Sequence, residues 1–334
     1  MMNQELFAEV VKEKIKDYLP ERFQDFTVEM HTVNKVNMDK MGLTLRDPKA
    51  GAGSATPSIY IDDMYEHYKN SDDLVDIMTR VAKKFVDEYE KGKELSQNLD
   101  MDNMKDNVIM VLVNTEQNKE LLETVPHREF EDLSIIYRWV VSKDENGIAS
   151  TIVNNDLMKQ QKLTEPELFQ AAVVNTKEMM PAKVKPMSDI IKEMMMSDGM
   201  PEEVVEMMIG DIPDDQMMWV ISNEQGINGA VNMIYEENLH MISERLQDNL
   251  YILPSSIHET IAVPASMGKP EELAEMVHDA NMNVVQLSER LSNQVYHYDK
   301  DARKLTIATD SQHKRLDGLV SEMPMVYEEK NKGR

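Results

Sequence analysis

The side chains best spaced for chemistry lie in two short loops of the C-terminal third. Asn223-Glu-Gln-Gly226-Ile-Asn228-Gly229 follows an apolar run, Met217 to Ile221, and precedes a helical stripe of Val231, Tyr235, Leu239, Ile242 and Leu246. Pro254-Ser255-Ser256-Ile257-His258-Glu259 follows a second run, Leu250 to Leu253, and leads into Thr260 to Val263. A right-handed crossover from the first run through the helix to the second would make two parallel strands and set both loops at one sheet edge. Such edges, and the helix N-termini beside them, are where α/β proteins bind small or anionic ligands. Asn223, Asn228, Gly229, Ser255, Ser256, His258 and Glu259 are therefore the expected ligand-binding set. A hydrolytic variant would use His258 as base toward the Ser256 hydroxyl with Glu259 nearby. An extended Ser-x-His stretch sends neighbouring side chains along different directions, and the same residues serve equally as turn caps, so no catalytic residue is assigned.

Other constellations fail on position or completeness. Glu237/His240 and Glu275/His278 have the Glu-x-x-His spacing of carboxylate di-metal bundles. Both pairs fall opposite the apolar stripes of their helices, where a buried metal site could not form. Lys49-Ala-Gly51-Ala-Gly53-Ser54-Ala-Thr56-Pro57 lacks the third glycine of a dinucleotide loop and the Gly-Lys-Ser/Thr of a nucleotide loop, and reads as a hairpin tip. Gly-x-Ser-x-Gly and His-Glu-x-x-His are absent. Asp72-Asp73-Leu-Val-Asp76 has the outline of a magnesium-binding pair, but acids at a helix start are favoured by the dipole alone. His67 reads as a surface histidine. No metal and no cofactor is expected.

The elements that must position these residues follow from periodicity. Phe7, Val10, Val11, Ile15 and Leu19 make one helical face ended by Pro20, and Phe26 to Val33 and Gly42 to Leu45 alternate as strands. Ser71 is predicted to cap a helix with Leu74, Ile77, Met78, Val81, Phe85 and Tyr89 in one stripe. Val108 to Val113 is continuously apolar, as in a strand buried on both faces. Ser134–Val141 and Ile148–Val153 flank a turn, Lys143 to Gly147, and Thr164-Glu-Pro-Glu167 is a capping box. A final hairpin pairs Val295–Tyr298 with Lys304–Ile307. The predicted class is α+β, two mixed-sheet modules joined by a Met-rich acidic helical insertion. The predicted boundaries are an N-terminal α+β module over 1–185, the insertion over 186–215, a C-terminal α/β-type module over 216–310 and a polar tail over 311–334.

That insertion is the compositional oddity of the chain. The protein has 334 residues with 29 methionines, and eleven of these lie between Met179 and Met218. Met187 to Gln216 also holds nine acids (Asp189, Glu193, Asp198, Glu202, Glu203, Glu206, Asp211, Asp214, Asp215) and one base, Lys192. It reads as two short amphipathic helices broken at Gly199 and Gly210. Methionine there is either core filler or a plastic surface for partners. The formal net charge of −25 argues against direct contact with a nucleic-acid backbone or an anionic membrane. There is no cysteine, which removes disulfides, thiolate nucleophiles and cysteine metal sites. No run of eighteen apolar residues spans a membrane and the first residues lack a secretory h-region, so a cytoplasmic location is expected.

Three segments carry a resemblance: Val220-Ile-Ser-Asn223…Gly226-Ile-Asn-Gly229-Ala230, Tyr251-Ile-Leu-Pro254-Ser-Ser-Ile-His258-Glu259 and Val295-Tyr-His-Tyr298. Over nearly its whole length the chain resembles a domain-of-unknown-function family of anaerobic gut Firmicutes, number fifty-six eighty-eight. Ile135-Ile-Tyr137-Arg138, Leu163-Thr-Glu165…Ala171-Ala172-Val-Val-Asn175 and the final hairpin are more distantly similar to the YtpQ-like uncharacterised family. The resemblance implies a bacterial cytosolic protein and no catalytic residue. The leading expectation is thus a non-catalytic interaction or accessory protein, its acidic Met-rich arm docking an unknown protein partner of basic or apolar surface. The alternatives are a small-molecule binder or hydrolase at the 223–229 and 254–259 loops, and an acidic mimic of DNA.

Overall fold

The computed structural model describes residues 2–49, 58–98, 103–144, 147–210, 212–311 and 315–317. The expected hairpin tip at 50–57, the centre of the turn at 145–146, Asp211 and most of the expected tail lie outside them. The class is α+β. Packing divides the chain into two compact units, 1–104 and 105–334. Among the described residues no helix is long and apolar enough to cross a membrane.

In the first unit α1 (Gln4–Lys14) starts at Asn3, whose side chain accepts the Leu6 N–H. Strands β1 (Thr27–Lys35), β2 (Met38–Arg46) and β3 (Ser58–Tyr60) form an antiparallel sheet in that order. Asn37 takes a positive φ at the tight β1–β2 turn, a conformation asparagine tolerates better than most residues. Helices α2 (Ile61–Ser71) and α3 (Leu74–Asn98) come next. Periodicity predicts only α3. The α2 stripe of Ile61, Met64 and Tyr68 is short and its start, at Tyr60, has no capping side chain. Ser71 ends α2 instead of capping α3. The Asp76 N–H is accepted by Asp73 Oδ1, so Asp73 supplies the cap. Phe7, Val11, Ile15, Leu43, Leu45, Ile61, Met78 and Phe85 form the core. Phe23 anchors it, with its ring 5.0 Å from Phe26, 5.6 Å from Phe85 and 5.3 Å from Tyr89.

The second unit holds two sheets. In one, β6 (Leu133–Asp144) is central: β4 (Val108–Asn114) pairs along one side, while β5 (His127–Phe130) and β7 (Gly147–Ile152) share the other. All of β4 is buried, as its apolar run requires, and α6 (Glu165–Met179) packs on it behind the predicted Thr164/Glu167 capping box. Short helices α4 (Lys119–Thr124) and α5 (Asn155–Gln160) complete this part.

The other sheet contains β8 (Ala182–Pro186), β9 (Trp219–Asn223), β10 (Leu250–Leu253), β11 (Thr260–Pro264), β12 (Tyr296–Asp299) and β13 (Lys304–Ile307). Its order is β13-β12-β10-β11-β9-β8. Every pairing in it is antiparallel, which corrects the expectation of mixed sheets. β9 and β10 do run the same way, but β11 returns between them. The six-residue connection 254–259 is short enough for β11 to fold back as β10's neighbour, so it occupies the place a parallel partner would have taken. Helices α7 (Met187–Ser197) and α8 (Glu202–Ile209) stand between β8 and β9, α9 (Glu236–Leu246) between β9 and β10, and α10 (Pro270–Asn283) after β11.

The second compact unit runs across residue 185. β8 is an edge strand of the six-stranded sheet, and Tyr235 Oη donates to the Val173 carbonyl of α6 at 3.0 Å, so residues 105–185 and the C-terminal part pack as one body.

Phe23→Ala should cost about 3–5 kcal/mol, read as a lower urea midpoint, because it empties the centre of this four-ring cluster. An unchanged midpoint would show that the ring cluster does not anchor the first unit.

Candidate functional site

The two loops singled out by their residue types meet at one end of the six-stranded sheet. β9 and β10 both point their C-terminal ends there, and three hydrogen bonds join the two loops that leave them. Ser222 Oγ donates to the His258 carbonyl at 2.8 Å, the Asn228 N–H donates to His258 Nδ1 at 3.2 Å, and the Ala230 N–H donates to the Ile257 carbonyl at 3.2 Å. Asn223 folds its own turn: its Oδ1 accepts the N–H groups of Gln225 and Ile227, and its Nδ2 donates to the Ile227 carbonyl at 2.8 Å. Gly226 and Asn228 take positive φ, which sharpens that turn. A Cβ on Gly229 would lie 2.5 Å from Ser222 Oγ, 2.6 Å from the His258 carbonyl and 2.7 Å from the Asn223 nitrogen, so only glycine allows this approach.

These contacts decide what the residues can do. Ser256 is buried, and its Oγ accepts the His258 N–H at 2.9 Å. His258 Nδ1 is an acceptor, which puts the neutral ring's proton on Nε2, 3.7 Å from Glu289 Oε1. Neither ring nitrogen serves Ser256, so the serine–histidine pair that a hydrolase needs is not assembled here. Glu259 is exposed, and Glu289 takes the place beside the imidazole. Ser255 contributes its carbonyl, which accepts the Leu291 N–H at 3.0 Å. Asn223, Asn228, Gly229, Ser256 and His258 are therefore brought together as a polar junction whose groups largely satisfy one another.

Three carboxylate–tyrosine clusters escaped sequence reasoning. In the β5–β6 turn, Asp132 Oδ2 accepts Ser292 Oγ at 2.6 Å and its Oδ1 accepts Tyr296 Oη. Desolvation pushes the Asp132 carboxyl up, only partly offset by the two hydroxyl donors, and burial pushes the Tyr296 phenol up as well. Glu165 accepts Tyr137 Oη at 2.5 Å and both sides of the Arg128 guanidinium at 3.1 and 3.0 Å. Burial works against ionisation of Glu165, but the Arg128 and Tyr137 bonds outweigh it and hold its pKa below the usual glutamate range. Glu236 accepts Tyr298 Oη at 2.5 Å and Arg303 Nε at 2.7 Å, and the Arg303 bond lowers its pKa to about 2. The partners are separated by 28, 62 and 164 residues. No local spacing could have revealed them.

Glu237, half of one Glu-x-x-His pair, is ion-paired with Lys177 of α6. Among the described residues no three histidine, aspartate or glutamate side chains stand together as a metal site would require.

Residues 4–300 match a family described as a family of unknown function (DUF5688). The more distant likeness to the YtpQ-like family finds no support in the comparisons. No curated protein and no solved structure matches the chain.

Two outcomes are expected. Gly229→Ala should cost about 1–3 kcal/mol in urea unfolding, since its new methyl meets backbone atoms that cannot move aside; a neutral effect would contradict the close junction. The Glu236 carboxylate ionises more readily in the folded chain. Its contribution is therefore complete above about pH 4.5 and lost as pH falls through about 2. Urea midpoints measured across that range should fall less steeply for Glu236→Gln than for the natural chain, and parallel curves would remove the Arg303 tie.

Proposed function

Because the chain belongs to a family of unknown function (DUF5688), which assigns it no activity, we propose from its surface chemistry that it is a cytosolic accessory protein acting by protein binding. The α7–α8 arm is its docking surface, and the partner element is a basic amphipathic helix. The observation that carries this reading is where apolar side chains meet solvent. Among the described residues, nine of the seventeen exposed large hydrophobics lie in the arm and its base, from Ile191 to Met218. Met207 is 83% exposed and Met194 and Met208 more than 60%.

Core filling does not account for them. α7 has no buried residue and α8 only Val205. β8 and β9 are antiparallel neighbours that a two-residue turn could join, and the Met187 N–H closes the base of the excursion on the Met218 carbonyl at 2.8 Å. Gly199 and Gly210, both at positive φ, end the two helices as their spacing suggests. Exposed apolar surface of this extent is costly in a monomer and typical of an interface. Unbranched thioethers adapt to a partner's contours, as on other promiscuous helix-binding surfaces.

Charge supplies the partner's sign. Asp189, Asp198, Glu202, Glu203 and Glu206 are exposed between the methionines, while Glu193 is paired with Lys183 and Lys185 of β8. Carboxylates interleaved with apolar groups suit a basic amphipathic helix. A mimic of DNA calls for carboxylates in succession without apolar side chains between them, so the alternation favours docking over mimicry.

Pull-down from native host lysate with the full chain and with residues 187–216 replaced by a short glycine–serine linker tests the proposal. The arm should be needed for capture, and identical partners from both would refute it. A Met194→Gln/Met207→Gln/Met208→Gln chain keeps the charge. It should bind a Lys/Leu amphipathic peptide at least tenfold more weakly in fluorescence anisotropy, with stability changed by no more than about 0.5 kcal/mol.

A further inference from the structure

The first unit holds a cavity that neither the polar junction nor the arm involves. It lies among β3, α2 and α3, has a volume of about 180 Å³, and is divided by chemistry. Ile59, Met64, Ile77 and Val81 make an apolar floor, each of them buried. Tyr60 closes one side, its ring held by Lys35 Nζ at 4.9 Å and Lys40 Nζ at 5.3 Å. The mouth is formed by His67 of α2 with Arg80 and Lys84 of α3, all exposed.

The charge at this mouth opposes that of the whole molecule, −25. Asp63, the acid in the wall, is taken by Lys40 Nζ at 3.0 Å. Arg80 Nε is engaged by Asp76 Oδ2 at 2.7 Å, one turn before it. Lys84 has no ion pair or hydrogen bond among the described residues, and His67 offers a ring with no partner of its own there. Among the described residues the wall thus carries one uncompensated cation, Lys84, with the His67 imidazole across from it and a guanidinium one helical turn away. Residues four apart on a helix share a face, so Ile77 and Val81 lay the floor while Arg80 and Lys84 rise at its edge. All of these groups sit on packed helices and a strand, which preorganises them.

We infer that this cavity binds a small organic anion, its apolar body on Ile59, Met64, Ile77 and Val81 and its carboxylate or phosphate head at Lys84, Arg80 and His67. The size suits a single ring: a buried cavity of about 150 Å³ accommodates benzene. The apolar floor excludes a bare inorganic ion as the preferred occupant, and the cationic mouth disfavours a neutral ligand of the same shape.

The full-length chain, labelled at isoleucine, valine and methionine methyls, is titrated by NMR with benzoate, phenyl phosphate, benzyl alcohol and inorganic phosphate. Saturable shifts of the Ile59, Ile77 and Val81 methyls are expected with benzoate or phenyl phosphate, and the tighter of the two identifies the head group. Benzyl alcohol should bind at least tenfold more weakly. Lys84→Glu, an exposed substitution, should weaken the anion at least tenfold while the thermal midpoint stays unchanged. Arg80→Gln serves as the second variant and should weaken it severalfold. The inference is overturned if neither aromatic anion gives saturable methyl shifts, if benzyl alcohol binds equally well, if inorganic phosphate matches phenyl phosphate, or if Lys84→Glu binds like the natural chain.

Discussion

The second unit depends on a close approach of backbone to backbone at Gly229. Because that residue has no side chain, the turn after β9 can lie against the segment between β10 and β11, and Ile257 and His258 receive the bonds of Ser222, Asn228 and Ala230. This contact holds β11 in the space between β9 and β10. Ile257 then donates to the Glu289 carbonyl, and the Leu291 and Ser292 N–H groups donate back to Ser255 and Pro254, so the same loop also guides the chain into β12. One junction therefore sets the strand order on both sides of β10. Polar residues that read as a binding set in one dimension also fasten a sheet in three.

A chain with 61 acidic and 36 basic residues must manage self-repulsion, and the second unit does so by giving selected carboxylates specific donors. Glu165 and Glu236 each sit in an arginine fork completed by a tyrosine hydroxyl, an arrangement that suits planar bidentate recognition. Asp132 has two hydroxyl donors and a backbone N–H in place of such a fork. The raised pKa that results marks it as the least comfortably ionised of the three. All three bonds connect segments far apart in the chain, so they act as tertiary ties and not as local caps.

Nine further acids lie in the arm, between Met187 and Gln216. Between β8 and β9 the helices α7 and α8 bury almost nothing of their own, so their hydrophobic content contributes little to folding. The first unit shows the converse, an apolar cavity whose wall, among the described residues, leaves a positive charge unpaired. The surface proposed for a basic helix and the cavity inferred to take a small anion are separate chemistries, and each is argued within its own unit.

Much of the secondary structure was legible in the sequence. The stripe from Leu74 to Tyr89, the continuous apolar run of β4, the capping box at Thr164 and the final hairpin carry their own local signals, because periodicity and capping are properties of neighbouring residues. α2 was not legible, since it begins at an uncapped tyrosine and spends its first acids on Gln4, Lys40 and the Met41 N–H. The convergence of the 223–229 and 254–259 loops followed from chain direction, yet the roles of Ser256 and His258 did not. Those depend on which donor reaches which acceptor across about thirty residues. Composition alone determined the acidic, methionine-rich character of 187–218 and the absence of thiol chemistry. Only the tertiary structure decided that β11 separates β9 from β10, that most of those methionines face solvent, and that Lys84 has no ion pair among the described residues above an apolar floor. Burial and pairing are set by segments distant in sequence, and no short-range pattern encodes them.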